Sequence, residues 1–466
     1  MPSPGSSSLV SSAFLSAFLL AAALAACGGD DGGGPTGVTP AIIPGGGVHD
    51  PGLDGALNVF VIDHDDGSPL AGAEVRVGAT TVTTDATGLA IVDGLTGPQT
   101  IAARADGHAP AVWVGADGAN VTIPLERTPP DTSRPPSAQL TGSITGWDGL
   151  PMPDLNHRQI ALIHYAQDPD LAARANTIQQ PTAMGSLPAA SCLRVRGPST
   201  PCAWKLNARA GAIALGLTLL DVDDRGTPDP GDDATVISGF SVHPITVTAG
   251  MNQSGVMLDL PPADSTVRPT VDTGTPPAAL TQVGVQIGLD LGAAGVLRFP
   301  EVDPTRAGAV IPQLTIAPGA TYELLGLARE PVADGTAADS VTLHRGLTDP
   351  TTLSAGPWLE PPTALASDRT MVSFTRVRAD GPYAVELTDA GLGVEGRPVL
   401  SVLILDASSQ VALPTDFAPL PADPLTMKVT TVDAGTIDLR NFEIDTVVAH
   451  LAGTASDTIA LPVTSP

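Results

Sequence analysis

Residues 57–63 read LNVFVID, and the chain continues with AEVRV at 73–77, LAIV at 89–92, QTIAAR at 99–104 and VTIPL at 121–125. These short stretches are rich in Val, Ile, Leu and Thr, residue types that favour a pleated strand. Turn residues separate each stretch from the next about every eight to ten positions, which is the pattern of a β-sandwich. The sequence therefore predicts a β-sandwich over residues 54–127.

The composition of the whole chain extends this interpretation. Its 466 residues are too many for one compact core, and its 50 glycines and 46 prolines interrupt the sequence too often for long helices. Aromatic residues make up only 3% of the chain, so Val, Ile, Leu and Ala must fill the cores. We therefore predict an all-β protein built from tandem Ig-like or prealbumin-like β-sandwich domains.

Proline-rich breaks divide the chain into these domains. The segments 128–137 and 261–279 contain clustered Pro, Thr and Asp and are predicted to be linkers. A second sandwich-like domain is expected at 138–260. Residues 280–466 are expected to form a β-rich C-terminal region of one or two further sandwiches.

Three motifs in the first domain carry a family resemblance: DGSPLAGAEV at 66–75, TDATG at 84–88 and ADGHAP at 105–110. They resemble the carboxypeptidase regulatory-like (transthyretin-like) domain, whose seven-stranded fold is shared with starch-binding-like modules. The resemblance implies a prealbumin-like fold and an accessory role, because the peptidase active site of such proteins lies in a separate domain. It says little about function, since one fold serves many roles.

The amino terminus has a pattern typical of an export signal. Residues 13–24 (AFLSAFLLAAAL) form an apolar run of 12 residues, which is the length of a signal-peptide core and short for a membrane span. The run leads into Leu24-Ala25-Ala26-Cys27, which resembles the lipobox of bacterial lipoproteins. The resemblance implies that residues 1–26 are a signal peptide and that Cys27 receives lipid. Several acyl chains together anchor a protein stably.

The residues around this signal support and qualify the prediction. Residues 27–53 are rich in Gly, Pro and Asp and are predicted to be a flexible tether. The chain has no Lys or Arg before Arg76, which departs from the usual signal peptide. An uncleaved membrane anchor at 9–26 is the alternative.

Cysteine use is consistent with export. The chain has 3 cysteines, so lipidation of Cys27 leaves Cys192 and Cys202, which flank a segment with a turn at its centre. We predict that these two form a disulfide. A zinc site would need further ligands, and no CxxC motif or spaced histidine pair supplies them.

The formal net charge of −27 limits the classes of partner. It argues against nucleic acid, because phosphate binding requires clustered Lys and Arg. We expect a membrane contact through the lipid anchor, and a protein or a glycan as ligand.

An acidic stretch at 221–233 (DVDDRGTPDPGDD) is the one predicted metal site. Oxygen ligands at Asp221, Asp223, Asp229 and Asp232, with a glycine at position six, would suit Ca²⁺. The stretch resembles the calcium loops of secreted bacterial proteins, although Arg225 stands where a further oxygen ligand belongs. A solvated acidic turn is the alternative.

No motif for catalysis is present in the sequence. There is no G-x-S-x-G elbow, no S-x-x-K and no H-E-x-x-H, so we predict that the protein is not an enzyme. Two tryptophans, Trp113 and Trp147, could form a sugar-stacking platform like that of starch-binding-like folds. The alternative is that both fill a core.

These observations together predict a non-enzymatic, lipid-anchored protein of the cell envelope with β-sandwich interaction modules. The alternative function is carbohydrate binding at the cell surface through exposed Trp side chains. The expected location is the outer membrane or the cell surface, or alternatively the periplasmic face.

Overall fold

The structure, a computed structural model, describes residues 45–48, 51–64, 67–128, 137–166, 190–197, 201–227, 233–262, 264–299, 310–331, 338–379, 381–389, 397–433 and 452–461. In these ranges the chain forms β-strands, three short 3₁₀ turns (Trp147–Gly149, Gly292–Ala294 and Leu314–Ile316) and no α-helix. The expected all-β class of packed sheets is confirmed.

The N-terminal region (residues 45–128) is a sandwich. Its strands are β1 (Asp54–Asp63), β2 (Glu74–Val77), β3 (Thr80–Thr83), β4 (Leu89–Thr96), β5 (Gln99–Arg104), β6 (Ala111–Ala116) and β7 (Asn120–Leu125). One sheet has the order β4-β1-β7, and the other face is formed by β6-β5-β2-β3. Val59 and Val61 of β1 alternate toward Val75 and Ile101 of the facing sheet, and all four are fully buried. This alternation is why the segment forms a half-buried strand.

Part of the predicted tether is ordered on this sandwich. The backbone N–H of Gly47 donates to Asn120 O at 3.1 Å, and Thr122 N donates to Gly45 O at 2.9 Å. A Cβ at Gly45 would lie 2.5 Å from the Cβ of Asn120, so only glycine permits this approach to β7. Residues 45–48 and 51–53, which the sequence assigns to the tether, thus contact the sandwich in the structure.

The middle region (residues 137–262) is a second sandwich. Its strands are β8 (Ser137–Thr145), β9 (His157–Tyr165), β10 (Ser191–Arg194), β11 (Ala203–Arg209), β12 (Gly211–Asp223), β13 (Ala234–Val247) and β14 (Gln253–Asp259). The sheets β10-β9-β12-β13 and β11-β8-β14 enclose a core that includes Leu140, Ile163 and Leu217. Cys192 and Cys202 form the expected disulfide beside this core.

The C-terminal region (residues 264–461) opens with β15 (Thr266–Val267), β16 (Thr270–Asp272), β17 (Gln282–Asp290), β18 (Val296–Arg298), β19 (Ile311–Pro312), β20 (Thr321–Arg329), β21 (Asp339–Leu347) and β22 (Thr352–Ser354). It continues with β23 (Thr363–Ser367), β24 (Met371–Thr375), β25 (Tyr383–Asp389), β26 (Arg397–Ile404), β27 (Gln410–Ala412), β28 (Leu425–Asp433) and β29 (Gly453–Leu461). The strands β15 and β16 lie inside the predicted linker 261–279, which therefore is partly strand.

One large sheet joins this region to the N-terminal region. Its 12 strands have the order β18-β17-β20-β21-β29-β28-β25-β26-β6-β5-β2-β3. The junction is a parallel pairing of β26 with β6, in which Val402 lies opposite Val112 and Ile404 opposite Val114. The small sheet β23-β24-β27 packs against the large sheet near β25 and β28. Val112 and Val114 of β6 lie in the core between these two sheets. The N-terminal and C-terminal regions thus share one sheet.

Candidate functional site

The motifs that resemble a carboxypeptidase regulatory-like domain form turns and ties inside the N-terminal region. The Thr84 hydroxyl donates to Leu70 O at 2.5 Å and accepts from Ala73 N at 2.9 Å, which joins two of the motifs. A Cβ on Gly88, whose φ is +75°, would lie 2.7 Å from Val61 O. These motif positions are explained by the backbone they hold in place.

Asp85 caps the turn that the second motif, TDATG at 84–88, forms. Its Oδ1 accepts from Thr87 N at 2.8 Å, from the Thr87 hydroxyl at 2.7 Å and from Leu89 N at 3.1 Å. These hydrogen bonds lower the pKa of the Asp85 carboxyl below its usual value, and the bond from the Thr87 hydroxyl has the largest effect. The carboxylate is committed to the turn.

The third motif places His108 against a buried carboxylate. Asp63, at the end of β1, is 1% exposed. His108 Nε2 lies 3.0 Å from Asp63 Oδ2, and Arg127 Nε donates to the same oxygen at 2.5 Å. We call this cluster of Asp63, His108 and Arg127 the acid tie.

The contacts of His108 show what the acid tie connects. His108 Nδ1 lies 3.0 Å from Asp106 O, and a carbonyl oxygen can only accept. The ring thus lies between its own loop, at Asp106 O, and the buried carboxylate of Asp63. The acid tie joins three separate segments and has the properties of a structural element.

The predicted calcium ligands are only partly described. Asp221 and Asp223 lie on one face of β12, with side chains 45% and 41% exposed, on either side of His157. His157 Nδ1 is 3.4 Å from Asp221 Oδ1, and Asp223 Oδ1 accepts from Arg225 N at 2.9 Å in a tight turn. Asp229 and Asp232 lie outside the described residues. Within the ranges that the structure covers, no group of three or more His, Cys, Asp or Glu side chains is arranged to hold a metal. Calcium binding stays a prediction.

The two tryptophans predicted to stack on sugars are buried. Trp113 of β6 is 4% exposed inside the N-terminal core, and Trp147 is 2% exposed inside the middle core. An indole packed on both faces has no face for a pyranose ring. The stacking role is therefore wrong for both residues, because an aromatic-poor chain uses its largest side chains to fill its cores.

A buried charged cluster in the large sheet was not expected from the sequence. Lys428 Nζ lies 3.9 Å from Asp339 Oδ2, and the Ser456 hydroxyl donates to Asp339 Oδ1 at 2.5 Å. Glu386 lies directly across from Lys428 on the neighbouring strand and is 8% exposed. Burial raises the pKa of Glu386 to about 7, and Lys428 acts in the opposite direction. The sequence signal is the rarity of lysine, since Lys205 and Lys428 are the chain's two lysines.

A buried histidine lies where the middle and C-terminal regions meet. The His164 ring packs edge-on against Phe240 at 6.0 Å and Phe299 at 6.3 Å between centroids. Burial lowers the pKa of His164 to about 4. Phe240 and Phe299 belong to a core that both regions share. The neutral ring serves as an apolar filler in this core.

Comparison with known proteins gives no family. No family model and no curated protein matches the chain. Among solved structures, the Bacillus anthracis TIE protein is 10% identical with a TM-score of 0.14, over 64% of this chain and 49% of its own. The chain thus spans about half the length of that protein.

A second solved structure is a tetra-tandem repeat from the extending region of a large adhesion protein. It is 11% identical with a TM-score of 0.14, over 88% of this chain and 100% of its own. Neither likeness supports an argument about fold or function.

The predicted lipidation site, Cys27, lies outside the described residues. Within the part of the chain that the structure describes, no helical segment has the length and apolarity that a bilayer crossing requires.

Proposed function

We propose that this chain is a non-enzymatic, lipid-anchored protein of the cell envelope, in which β-sandwich modules form a stiff scaffold for binding. The observation that carries the proposal is that charged side chains pair with groups from other parts of the same chain. In the acid tie and in the large sheet, the buried carboxylates of Asp63 and Asp339 pair with cationic side chains from distant segments of the chain. Such pairs stabilise the arrangement of the segments that they join.

Arginines of the C-terminal region support a stiff scaffold in the same way. Arg376 donates to Asp406 O at 2.9 Å, to Ser408 O at 3.0 Å and to Gly381 O at 3.1 Å. Its guanidinium also lies 4.2 Å from the centre of the Tyr383 ring. Hydrogen bonds from a charged group to several loop carbonyls fix those loops on the sandwich.

Arg369 makes a second tie of this kind. It donates to Pro421 O at 2.6 Å and to Asp423 O at 2.7 Å. The long loop between β27 and β28 is thereby held against the turn that precedes β24. Fixed loops suit a module that presents a surface at a constant position.

The lipid anchor rests on the sequence around Cys27, and the disulfide is consistent with an exported protein. The test is labelling of growing cells with a clickable fatty acid, comparing the native chain with Cys27→Ser. We expect label in the native chain and none in the variant. Cys192→Ser is the matched control, because it removes a different cysteine, and it should keep its label. Equal labelling of the native chain and Cys27→Ser would exclude this anchor.

Carbohydrate binding through Trp113 and Trp147 is not proposed, since both indoles lie in cores.

A further inference from the structure

The N-terminal and C-terminal regions meet through a set of contacts that we call the clasp. It consists of the pair β6–β26 and of four side chains: Arg76 and Arg104 on one side, Asp416 and Phe417 on the other. Beyond the paired strands, Ser401 N donates to Pro110 O at 3.1 Å and Leu405 N to Val114 O at 2.9 Å. The clasp connects residues that lie as far as 340 positions apart in the chain.

The polar half of the clasp is a double arginine contact. Arg76 holds Asp416 with two hydrogen bonds, of 2.5 and 3.1 Å, which is the bidentate geometry of the stronger ion pairs. Arg104 donates to Phe417 O at 2.6 Å and is itself fixed by Glu74 at 2.6 Å. The pKa of the Asp416 carboxyl is lowered, first by its hydrogen bond from Arg76.

The apolar half of the clasp centres on Phe417. Its ring is 5% exposed and lies 4.8 Å from the Arg76 guanidinium and 4.7 Å from that of Arg104. Guanidinium groups in such positions are attracted to the ring and also cover it. An aromatic anchor flanked by arginines is the type of residue that dominates protein–protein interfaces.

Each region also completes the core of the other. Val112 and Val114 of the N-terminal region belong to the C-terminal core, while Leu403 and Leu405 pack against the N-terminal core. A Cβ added to Gly115 would lie 2.5 Å from Asp406 Cβ, so the two backbones approach closely. If the regions separated, β6 and β26 would both become open strand edges with exposed apolar neighbours, which soluble proteins avoid.

We propose that the clasp holds the N-terminal region on the C-terminal region without help from the connecting chain. The surface formed by the edge of β26, Asp416 and Phe417 is an interaction site. Its partner is a strand edge flanked by two guanidinium groups, here supplied by the same chain. A protein cut between the N-terminal and middle regions therefore stays one particle. Where the proposed lipid anchor is present, such a cut leaves the remainder of the protein at the membrane.

The test cleaves the full chain and measures whether the two fragments separate. A recognition sequence for a site-specific protease is placed between residues 129 and 136 of the full chain carrying Cys27→Ser, so that lipid cannot hold the pieces together. After cleavage and dilution to about 1 µM, at which only pairs with submicromolar dissociation constants persist, the mixture is run on a sizing column. We expect both pieces to elute together. Separate elution would overturn the proposal.

Variants assign the association to the clasp. Phe417→Ala should raise the dissociation constant of the cut protein at least tenfold, as loss of a buried aromatic anchor does (about 1.4 kcal/mol or more). Arg76→Asp should raise it by about threefold to tenfold, and Arg76→Asp combined with Asp416→Arg should recover most of that loss. The recovery excludes simple misfolding as the cause.

Asp349→Ala is the matched control, because Asp349 caps a turn of the C-terminal region, with Thr351 N at 2.8 Å, and takes no part in the clasp. It should leave the association unchanged. Undiminished association in both Phe417→Ala and Arg76→Asp would show that other contacts hold the pieces, and the proposal would be wrong. Since the chain lacks Cys27 throughout, this outcome is independent of whether the native protein is lipidated.

Discussion

His164 and Glu386 are single residues whose burial ties stability to pH, in opposite directions. His164 lies among aromatic rings, and Glu386 lies inside the large sheet. Burial disfavours the charged form of either group, so it raises the pKa of Glu386 and lowers that of His164. The two residues therefore make separable predictions.

Glu386→Gln should remove a loss of stability that the native chain shows as pH rises. The pKa of Glu386 is about 7 in the folded protein and near 4.5 when unfolded, so the folded state binds more protons between these values. Stability then falls as pH rises from about 4.5 to 7, by about 1–3 kcal/mol. Urea unfolding at several pH values measures this slope. Glu360→Gln, an exposed position, should leave it unchanged, and an unaltered slope in Glu386→Gln would contradict the assignment.

His164→Leu should remove a pH dependence of the opposite direction, over nearly the same acidic pH range. The pKa of His164 is about 4 in the folded protein against 6.5 when unfolded, so the unfolded state binds more protons between those values. Stability of the native chain should fall by about 2 kcal/mol as pH drops from 6.5 to 4, and the variant should lack this fall. Thermal unfolding of both chains at pH 6.5 and pH 4 gives the comparison. His157→Leu, a half-exposed histidine, serves as control, and the same acid sensitivity in His164→Leu would refute the assignment.

Asp63→Asn tests the acid tie. The substitution removes the negative charge that Arg127 and His108 share while it keeps the size of the side chain. We expect a loss of about 2 kcal/mol in the free energy of unfolding, because two donors near a buried site lose their charged acceptor. Asp85→Asn, at an exposed turn of the same region, should cost clearly less. Equal losses in the two variants would mean that Asp63 acts only as a turn residue.

At this scale the sequence predicted the disulfide but misjudged the tryptophans and missed the buried charges. Lys428 alternates with Met427 and Val429, so a half-buried strand places it on the face opposite the core. The sequence pattern cannot show that this face is covered too, because the cover comes from segments far away in the chain. The acid tie has the same origin, since Asp63, His108 and Arg127 meet only after the sandwich closes.

Among the elements, strands were predictable where one face is buried and the other is not. The alternation of β1 and β2 is a local pattern that the residues determine directly. The short strands β15 and β16 escaped prediction because their pairs, with β19 and β22, are supplied by distant segments. The ordering of Gly45 and Gly47 on β7 escaped for the same reason.

The disulfide should stabilise the edge of the middle sandwich. The bond joins β10 to the start of β11 across a separation of 10 residues. Closure of so short a loop is worth about 2–3 kcal/mol, so Cys192→Ala with Cys202→Ala should lower the unfolding temperature by several degrees. Adding a reductant should lower the unfolding temperature of the native chain to that of the double variant. The unfolding temperature of the double variant should not change. No effect of reductant on the native chain would show that the bond contributes nothing.

Over the whole molecule, the large sheet sets the arrangement. A string of sandwiches in chain order was the expectation from the proline-rich breaks, and nothing local in β6 or β26 marks them as partners. Their pairing depends on the closure of a loop that includes the entire middle region, which no sequence pattern reports. The predicted domain limits remain predictions, but the first and last regions are continuous through one sheet.

Hydrogen exchange across the large sheet in the uncut chain is the most direct test of this arrangement. The account predicts that the amides of Ser401 and Leu405, which donate to the N-terminal region, exchange as slowly as those of β25 and β28 in the same sheet. Fast exchange at Ser401 and Leu405, with β25 and β28 still protected, would contradict it, because the N-terminal region would then be a separate module on a linker.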